Sequence, residues 1–180
     1  MSETRYTYPA MALHWLMAVL LIGLFGLGLY MSDLPLSPDK LKLYSWHKWA
    51  GVSAFLLVLL RLAWRVGHPP PALPAVMPRW QKLAAHGVHH LAYLLMVAIP
   101  LSGWLMSSAK GFQTVYFGVV PLPDLLSKDK PLGELLESVH GFLNYGLAAL
   151  VVAHVAAALK HQLLDRDDLL ARMLPLRRNR

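Results

Sequence analysis

His140 and His154 lie fourteen residues apart in one apolar stretch. At about 100° per residue they return to nearly the same face of a helix, separated by roughly 21 Å along its axis. An ionisable side chain inside a membrane helix is expensive and needs a compensating role. Each of these histidines needs a partner at its own depth. His14, at the start of the first apolar stretch, is level with His154, and His47, at the start of the second, is level with His140. The depths allow the pairs His14–His154 and His47–His140 and forbid the crossed pairing.

Two imidazoles from facing helices, with no third or fourth ligand at the same depth, suit the two axial positions of a porphyrin iron. A tetrahedral zinc site wants four ligands including Cys or carboxylate, and the apolar stretches carry almost no Asp or Glu. A macrocycle also needs room. Ala50, Gly51 and Ala54 share the face of His47, and Ala157 and Ala158 stand in a similar relation to His154. Both observations have a plainer alternative: a single intramembrane histidine often only donates a hydrogen bond between helices, and small residues serve ordinary helix packing. Four histidines at two matched depths favour a pair of b-type haem sites.

The elements that must position these side chains are helices. Of 180 residues, 56% are hydrophobic and 15% charged, against about a quarter charged in ordinary soluble domains. The apolar residues gather in four stretches that predict an all-α, integral membrane four-helix bundle, a single domain with spans over about 12–31, 47–66, 84–107 and 139–164. Pro100 and Gly103 are expected to kink the third span. The connection from Ser107 to Ser138 is long, with Leu125-Leu126 and Leu135-Leu136 expected in short amphipathic turns. Cys is absent, which excludes disulfides, iron–sulfur clusters and covalent c-type haem attachment. The first stretch is long and shows no small-residue cleavage site, so it reads as a retained helix.

Lys and Arg set the orientation. With four spans, both termini share a side with the loop between the second and third helices, and every arginine falls there: Arg5, Arg61, Arg65, Arg79, Arg166, Arg172, Arg177, Arg178 and Arg180. The opposite side mixes Lys40, Lys42, Lys48, Lys110, Lys128 and Lys130 with six carboxylates. Both termini are expected to be cytoplasmic, and the net charge of +7 is a topology signal, with no soluble domain left to bind nucleic acid. Trp15, Trp46, Trp49, Trp64 and Trp104 read as an interfacial belt.

The order and spacing of several short segments resemble the bacterial cytochrome b561 family, within the wider group of di-haem cytochrome b subunits of hydrogenases and formate dehydrogenases. These are Ala12-Leu13-His14-Trp15-Leu16, Trp46-His47-Lys48-Trp49-Ala50-Gly51, Arg61-Leu62-Ala63-Trp64-Arg65, Ala85-His86-Gly87-Val88-His89, Val139-His140-Gly141, Ala153-His154 with His161, and Leu169 to Pro175. The resemblance implies axial ligation by His14, His47, His140 and His154, and electron exchange with the quinone pool of the bacterial inner membrane.

One branch of that family, the superoxide oxidases, reduces ubiquinone with electrons from superoxide. Similarity to it implies a cytoplasmic-side quinone site near His89 and His161, with Arg79 or Lys82 as cationic neighbour. His86 and His90 remain alternatives to His89, because the rotation of the third helix is not set by the sequence. His and Arg or Lys would supply the protons and positive field that quinone reduction needs, although His161, Lys160 and Arg79 also fit plain headgroup contacts. On the outer side Lys48, next to His47, is the best candidate to steer an anion such as superoxide, most of the other lysines reading as a solvated loop. The expected function is transmembrane electron transfer, through two b haems, from a periplasmic one-electron donor to ubiquinone. The alternative is a membrane-anchor subunit that passes electrons between a partner dehydrogenase or hydrogenase and the quinone pool. Additional helices, common in such anchors, are missing from this short chain.

Overall fold

The computed structural model describes residues 5–167 and 169–174. The basic tail with Arg177, Arg178 and Arg180, and Pro175 of the closing motif, lie outside the described residues. Four helices dominate: α1 (Tyr8–Asp33), α2 (Pro38–Gly67), α3 (Arg79–Ala109) and α4 (Lys130–Lys160). A π turn (His161–Asp165) and a 3-10 turn (Leu170–Met173) follow α4.

Each of the four is long and apolar enough to cross a membrane. Their outward faces carry Leu16, Val19, Ile22, Leu56, Leu60, Leu94, Phe142 and Val152, all well exposed. In water such surfaces would associate; in lipid they meet their own solvent, so the bundle has little reason to bury them. The interior is correspondingly small: Leu95 and Ile99 of α3 pack on Leu147 of α4, and Met17 and Val58 are buried.

Two helices start well before their apolar windows. α2 begins at Pro38 and α4 at Lys130, where the windows open near 47 and 139. The reason is capping chemistry outside the hydrocarbon. Ser37 accepts from the Lys40 amide at 3.2 Å, and Asp129 accepts from the Leu132 amide at 3.0 Å, each followed by a proline in the first turn. Leu135-Leu136 therefore belong to α4. Leu125-Leu126 are not helical; the connection instead folds a small antiparallel hairpin, β1 (Val115–Tyr116) with β2 (Val120–Pro121). Phe117 and Gly118 turn it with φ of 50° and 72°, the second at no steric cost.

Tryptophans tie the loops to the bundle. Trp49 Nε1 donates to the Val115 carbonyl at 2.6 Å and Trp104 Nε1 to that of Pro123 at 3.0 Å, which straps the hairpin over one end. At the other end Trp15 donates to Met173 and Trp64 to Thr7. We refer to these as the hairpin end and the termini end.

Candidate functional site: two layers of facing histidines

Near the hairpin end, His47 of α2 faces His140 of α4, with ring centroids 6.4 Å apart and planes at 81°. Glycines stand beside both rings. A Cβ on Gly103 of α3 would come within 3.1 Å of His140 Cε1, and one on Gly28 of α1 within 3.4 Å of His47 Cε1. The orientation of His140 follows from its neighbours. Ser102 Oγ donates to the Ile99 carbonyl at 2.8 Å, so its lone pairs remain for His140 Nδ1, 3.0 Å away, and the same nitrogen lies 3.1 Å from the Ile99 carbonyl. Nδ1 is thus the protonated nitrogen, and Nε2 keeps a bare lone pair. His47 Nδ1 is buried without a hydrogen-bond partner.

Near the termini end, His14 of α1 faces His154 of α4, with centroids 6.3 Å apart and planes at 73°. His89 of α3 leans against His154 at 5.6 Å. Arg61 of α2 donates from Nη2 to His14 Nδ1 at 3.1 Å. Arg61 and Arg65 lie over the Tyr93 ring, at 5.5 and 5.6 Å from its centroid. Beside them Tyr6, just ahead of α1, is pushed above the usual phenol range by burial, with Arg65 opposing, and so stays a neutral hydroxyl.

The two layers repeat one interval. Each helix contributes a pair of residues fourteen apart: His14 and Gly28 on α1, His47 and Arg61 on α2, His89 and Gly103 on α3, His140 and His154 on α4. The contacts above join Gly28, His47, Gly103 and His140 in one layer and His14, Arg61, His89 and His154 in the other. One layer is two imidazoles cradled by glycine; the other is two imidazoles flanked by polar side chains.

Both facing pairs fit a metal held between them. With about 2 Å per metal–imidazole bond and about 1 Å from nitrogen to ring centre, opposed axial imidazoles have centroids about 6 Å apart. A glycine cradle a Cβ would fill, and a ligand histidine whose far nitrogen donates to a carbonyl, are what a bound group and its outer hydrogen-bond partners require.

The remaining expected site residues are more scattered. His86 and His90 are exposed, and His90 Nδ1 donates to the His86 carbonyl at 2.7 Å, which leaves His89 as the third-helix histidine directed into the bundle. His161 opens the π turn after α4, its Nδ1 held by Asp167 at 2.6 Å and Asp165 at 2.9 Å. Arg79 is exposed at the start of α3, and Lys82 Nζ donates to the Ala75 carbonyl at 3.3 Å. Within the histidine layer itself the cation in contact is Arg61, on His14, with Arg65 beside it over Tyr93. Lys48 Nζ donates to the Phe112 carbonyl at 2.9 Å and so anchors the hairpin loop next to His47. Ser102, Gly28, Gly103 and the contact role of Arg61 were not anticipated; the fourteen-residue interval, applied to all four helices, would have found the glycines and the arginine.

Comparison with known proteins gives this geometry its context. The family model described as prokaryotic cytochrome b561 matches residues 5–176. The chain belongs to the prokaryotic cytochrome b561 family. It is therefore a membrane-embedded, b-type haem electron-transport protein of the bacterial inner membrane, and its lipid-facing helices are those of that fold. Among the relatives, "Cytochrome b561 homolog 2" of Escherichia coli (strain K12) is 37% identical over 175 residues, covering 96% of this chain and 93% of that one. "Cytochrome b561 homolog 1" of the same organism is 26% identical over 178 residues, covering 97% and 99%. The "Probable superoxide oxidase CybB" of Yersinia pestis is 27% identical over 180 residues, covering 97% and 98%.

Proposed function

We propose that this cytochrome b561 carries two b haems, one between His47 and His140 and one between His14 and His154. The function is electron transfer across the membrane from a one-electron donor on the outer face to ubiquinone on the cytoplasmic face. The carrying observation is the pair of facing imidazole rings at 6.4 and 6.3 Å, one layer at each end of a bundle long enough to span the bilayer. The arginines at the termini end, with none among the residues of the hairpin end, support a cytoplasmic location for both termini.

Haem supplies reversible one-electron redox chemistry when bound. The chain supplies position and environment. His140 is held by Ile99 and Ser102 in the tautomer that leaves Nε2 free to ligate. At the termini end His89 and the His161–Asp167 pair offer proton donors, and Arg79 and Lys82 at the start of α3 offer positive charge, which quinone reduction needs. The likeness to a probable superoxide oxidase supports superoxide as the donor. Lys48, beside His47, contributes positive charge near the donor face, even while its ammonium holds the Phe112 carbonyl.

The experiment is a reduced-minus-oxidised spectrum of the detergent-purified protein with haem quantified per chain, then addition of superoxide followed by ubiquinone. Two haems, reduced by superoxide and reoxidised by ubiquinone, are expected. Two haems inert to superoxide would turn the reading toward a subunit of a larger dehydrogenase complex. No haem would overturn it.

A further inference from the structure

Arg61 lies well inside α2, which runs on to Gly67, and Arg65 sits one turn further out. A guanidinium in a membrane-spanning helix must find an anion, a carbonyl or the surface. Between Asp39 and Asp124 the sequence holds no acidic residue at all. Among the described residues the carboxylates of the termini end are Asp165 and Asp167. Asp165 is engaged by Lys160 and His161, and Asp167 by His161. Among the described residues no carboxylate forms an ion pair with Arg61 or Arg65.

Both arginines nonetheless turn the same way. They lie over one aromatic ring, that of Tyr93, and line one pocket with Tyr6, Trp64 and His68. Arg61 spends a hydrogen bond on His14 Nδ1. That contact makes Nδ1 the acceptor and puts the ring proton on Nε2, the reverse of the tautomer at His140. A histidine that ligates iron through Nε2 needs that nitrogen bare and carries its proton on Nδ1. Arg61 must therefore release His14 when the pair binds metal, and its fork then needs an acceptor within the same reach.

We propose that Arg61 and Arg65 form the binding site for the porphyrin carboxylates of the haem held by His14 and His154. This rests on the two-haem reading and adds the side chains that orient the macrocycle at the termini end. Guanidinium matches carboxylate geometry through paired N–H donors, and haem b brings two carboxylates into a layer whose own sequence provides none. Arg61 then has two positions: on His14 Nδ1 before the haem arrives, and on a haem carboxylate afterwards. Those carboxylates should point toward the termini end, where Arg65 and the pocket lie.

The test uses the full chain carrying His140→Ala, which retains only the termini-end pair, loaded with haem b or with its dimethyl ester, in which both carboxylates are capped. A charge-assisted hydrogen bond contributes about 1.5–3 kcal/mol, so the free acid should bind at least about tenfold more tightly than the diester. In Arg61→Gln, Arg65→Gln that preference should disappear through loss of free-acid binding alone, and Arg61→Lys, Arg65→Lys should keep part of it. If the double Gln variant does not fold, Arg65→Gln alone should reduce the preference. Equal binding of acid and diester by the parent chain, or an unchanged preference in the Gln variants, overturns the proposal and leaves the arginines to lipid phosphates. Failure of the parent chain to bind either porphyrin overturns the haem reading itself.

Discussion

Ser102 Oγ and His140 Nδ1 lie 3.0 Å apart across the α3–α4 seam, and the Ile99 carbonyl joins them at 2.8 Å from the hydroxyl and 3.1 Å from the imidazole. Ile99 sits immediately before Pro100, in the stretch of α3 where the helix loses a donor. Removal of the hydroxyl in Ser102→Ala leaves the carbonyl as the sole acceptor. Haem content is expected to hold, while the midpoint potential of one haem shifts by the equivalent of about 1 kcal/mol. A redox titration that resolves the two haems reads this directly; loss of both signals together would contradict it.

Gly103→Ala is expected to remove or destabilise the haem at His47–His140, because the added methyl carbon meets the His140 ring at 3.1 Å, and that ring is held through Nδ1 by Ile99 and Ser102. Gly28→Ala, whose Cβ would stand 3.4 Å from His47, is expected to be milder. Haem per chain in the two variants checks the order. An overpacked site typically loses about 1–3 kcal/mol, enough for a visible fall in occupancy.

Alanine replacements of the four facing histidines should sort into two classes. His47→Ala and His140→Ala are each expected to leave the termini-end haem, and His14→Ala and His154→Ala the other. His89→Ala, although its ring touches His154 at 5.6 Å, is expected to retain both haems and lose ubiquinone reduction. Pyridine haemochrome content and the remaining low-spin spectrum distinguish the outcomes; a His89→Ala protein with one haem would make His89 a ligand.

Asp167→Asn is expected to slow ubiquinone reduction by about tenfold with unchanged haem content, because the carboxylate at 2.6 Å holds His161 Nδ1 and so directs its other nitrogen. Asp165, which also binds Lys160, should matter less. Stopped-flow reoxidation of the reduced protein by quinone is the measurement, and equal rates in both variants would remove His161 from proton delivery.

Lys48→Ala is expected to weaken the salt dependence of reduction by an anionic donor, since its ammonium is the cation next to His47. The same change removes one of two donors to the Phe112 carbonyl, which Ser107 Oγ still holds, and Lys48→Arg serves as the control that keeps the loop contact.

What the residues disclosed by themselves depended on periodicity. Four apolar stretches announce four spans, and the fourteen-residue interval between His140 and His154 announces two depths. The same interval at Gly28 and Gly103 carries no signal of its own, because a glycine in a membrane helix ordinarily marks helix packing or, beside Pro100, a kink. Arg61 shows in the sequence as a topology charge and as part of a family segment, while its contact with His14 depends on the rotation of α2. The rotation of α3 was equally invisible: His86, His89 and His90 are equivalent until Leu95 and Ile99 pack on Leu147 and turn His89 inward. The hairpin at Val115–Pro121 has strands of two residues, too short for any alternation to register.

The fourteen-residue interval also has an electrical meaning. It separates the two histidine layers by roughly 21 Å, about two-thirds of a hydrocarbon core about 30 Å thick. An electron passed from the outer layer to the cytoplasmic one would cross most of the membrane potential, in the direction that an interior-negative voltage opposes. At about 2.3 kcal/mol per charge per 100 mV, the opposition is about 1.6 kcal/mol for each 100 mV. Each turnover would then leave the interior more negative than before, so that the bundle doubles as a small generator whose rate falls as the voltage it helps to build rises.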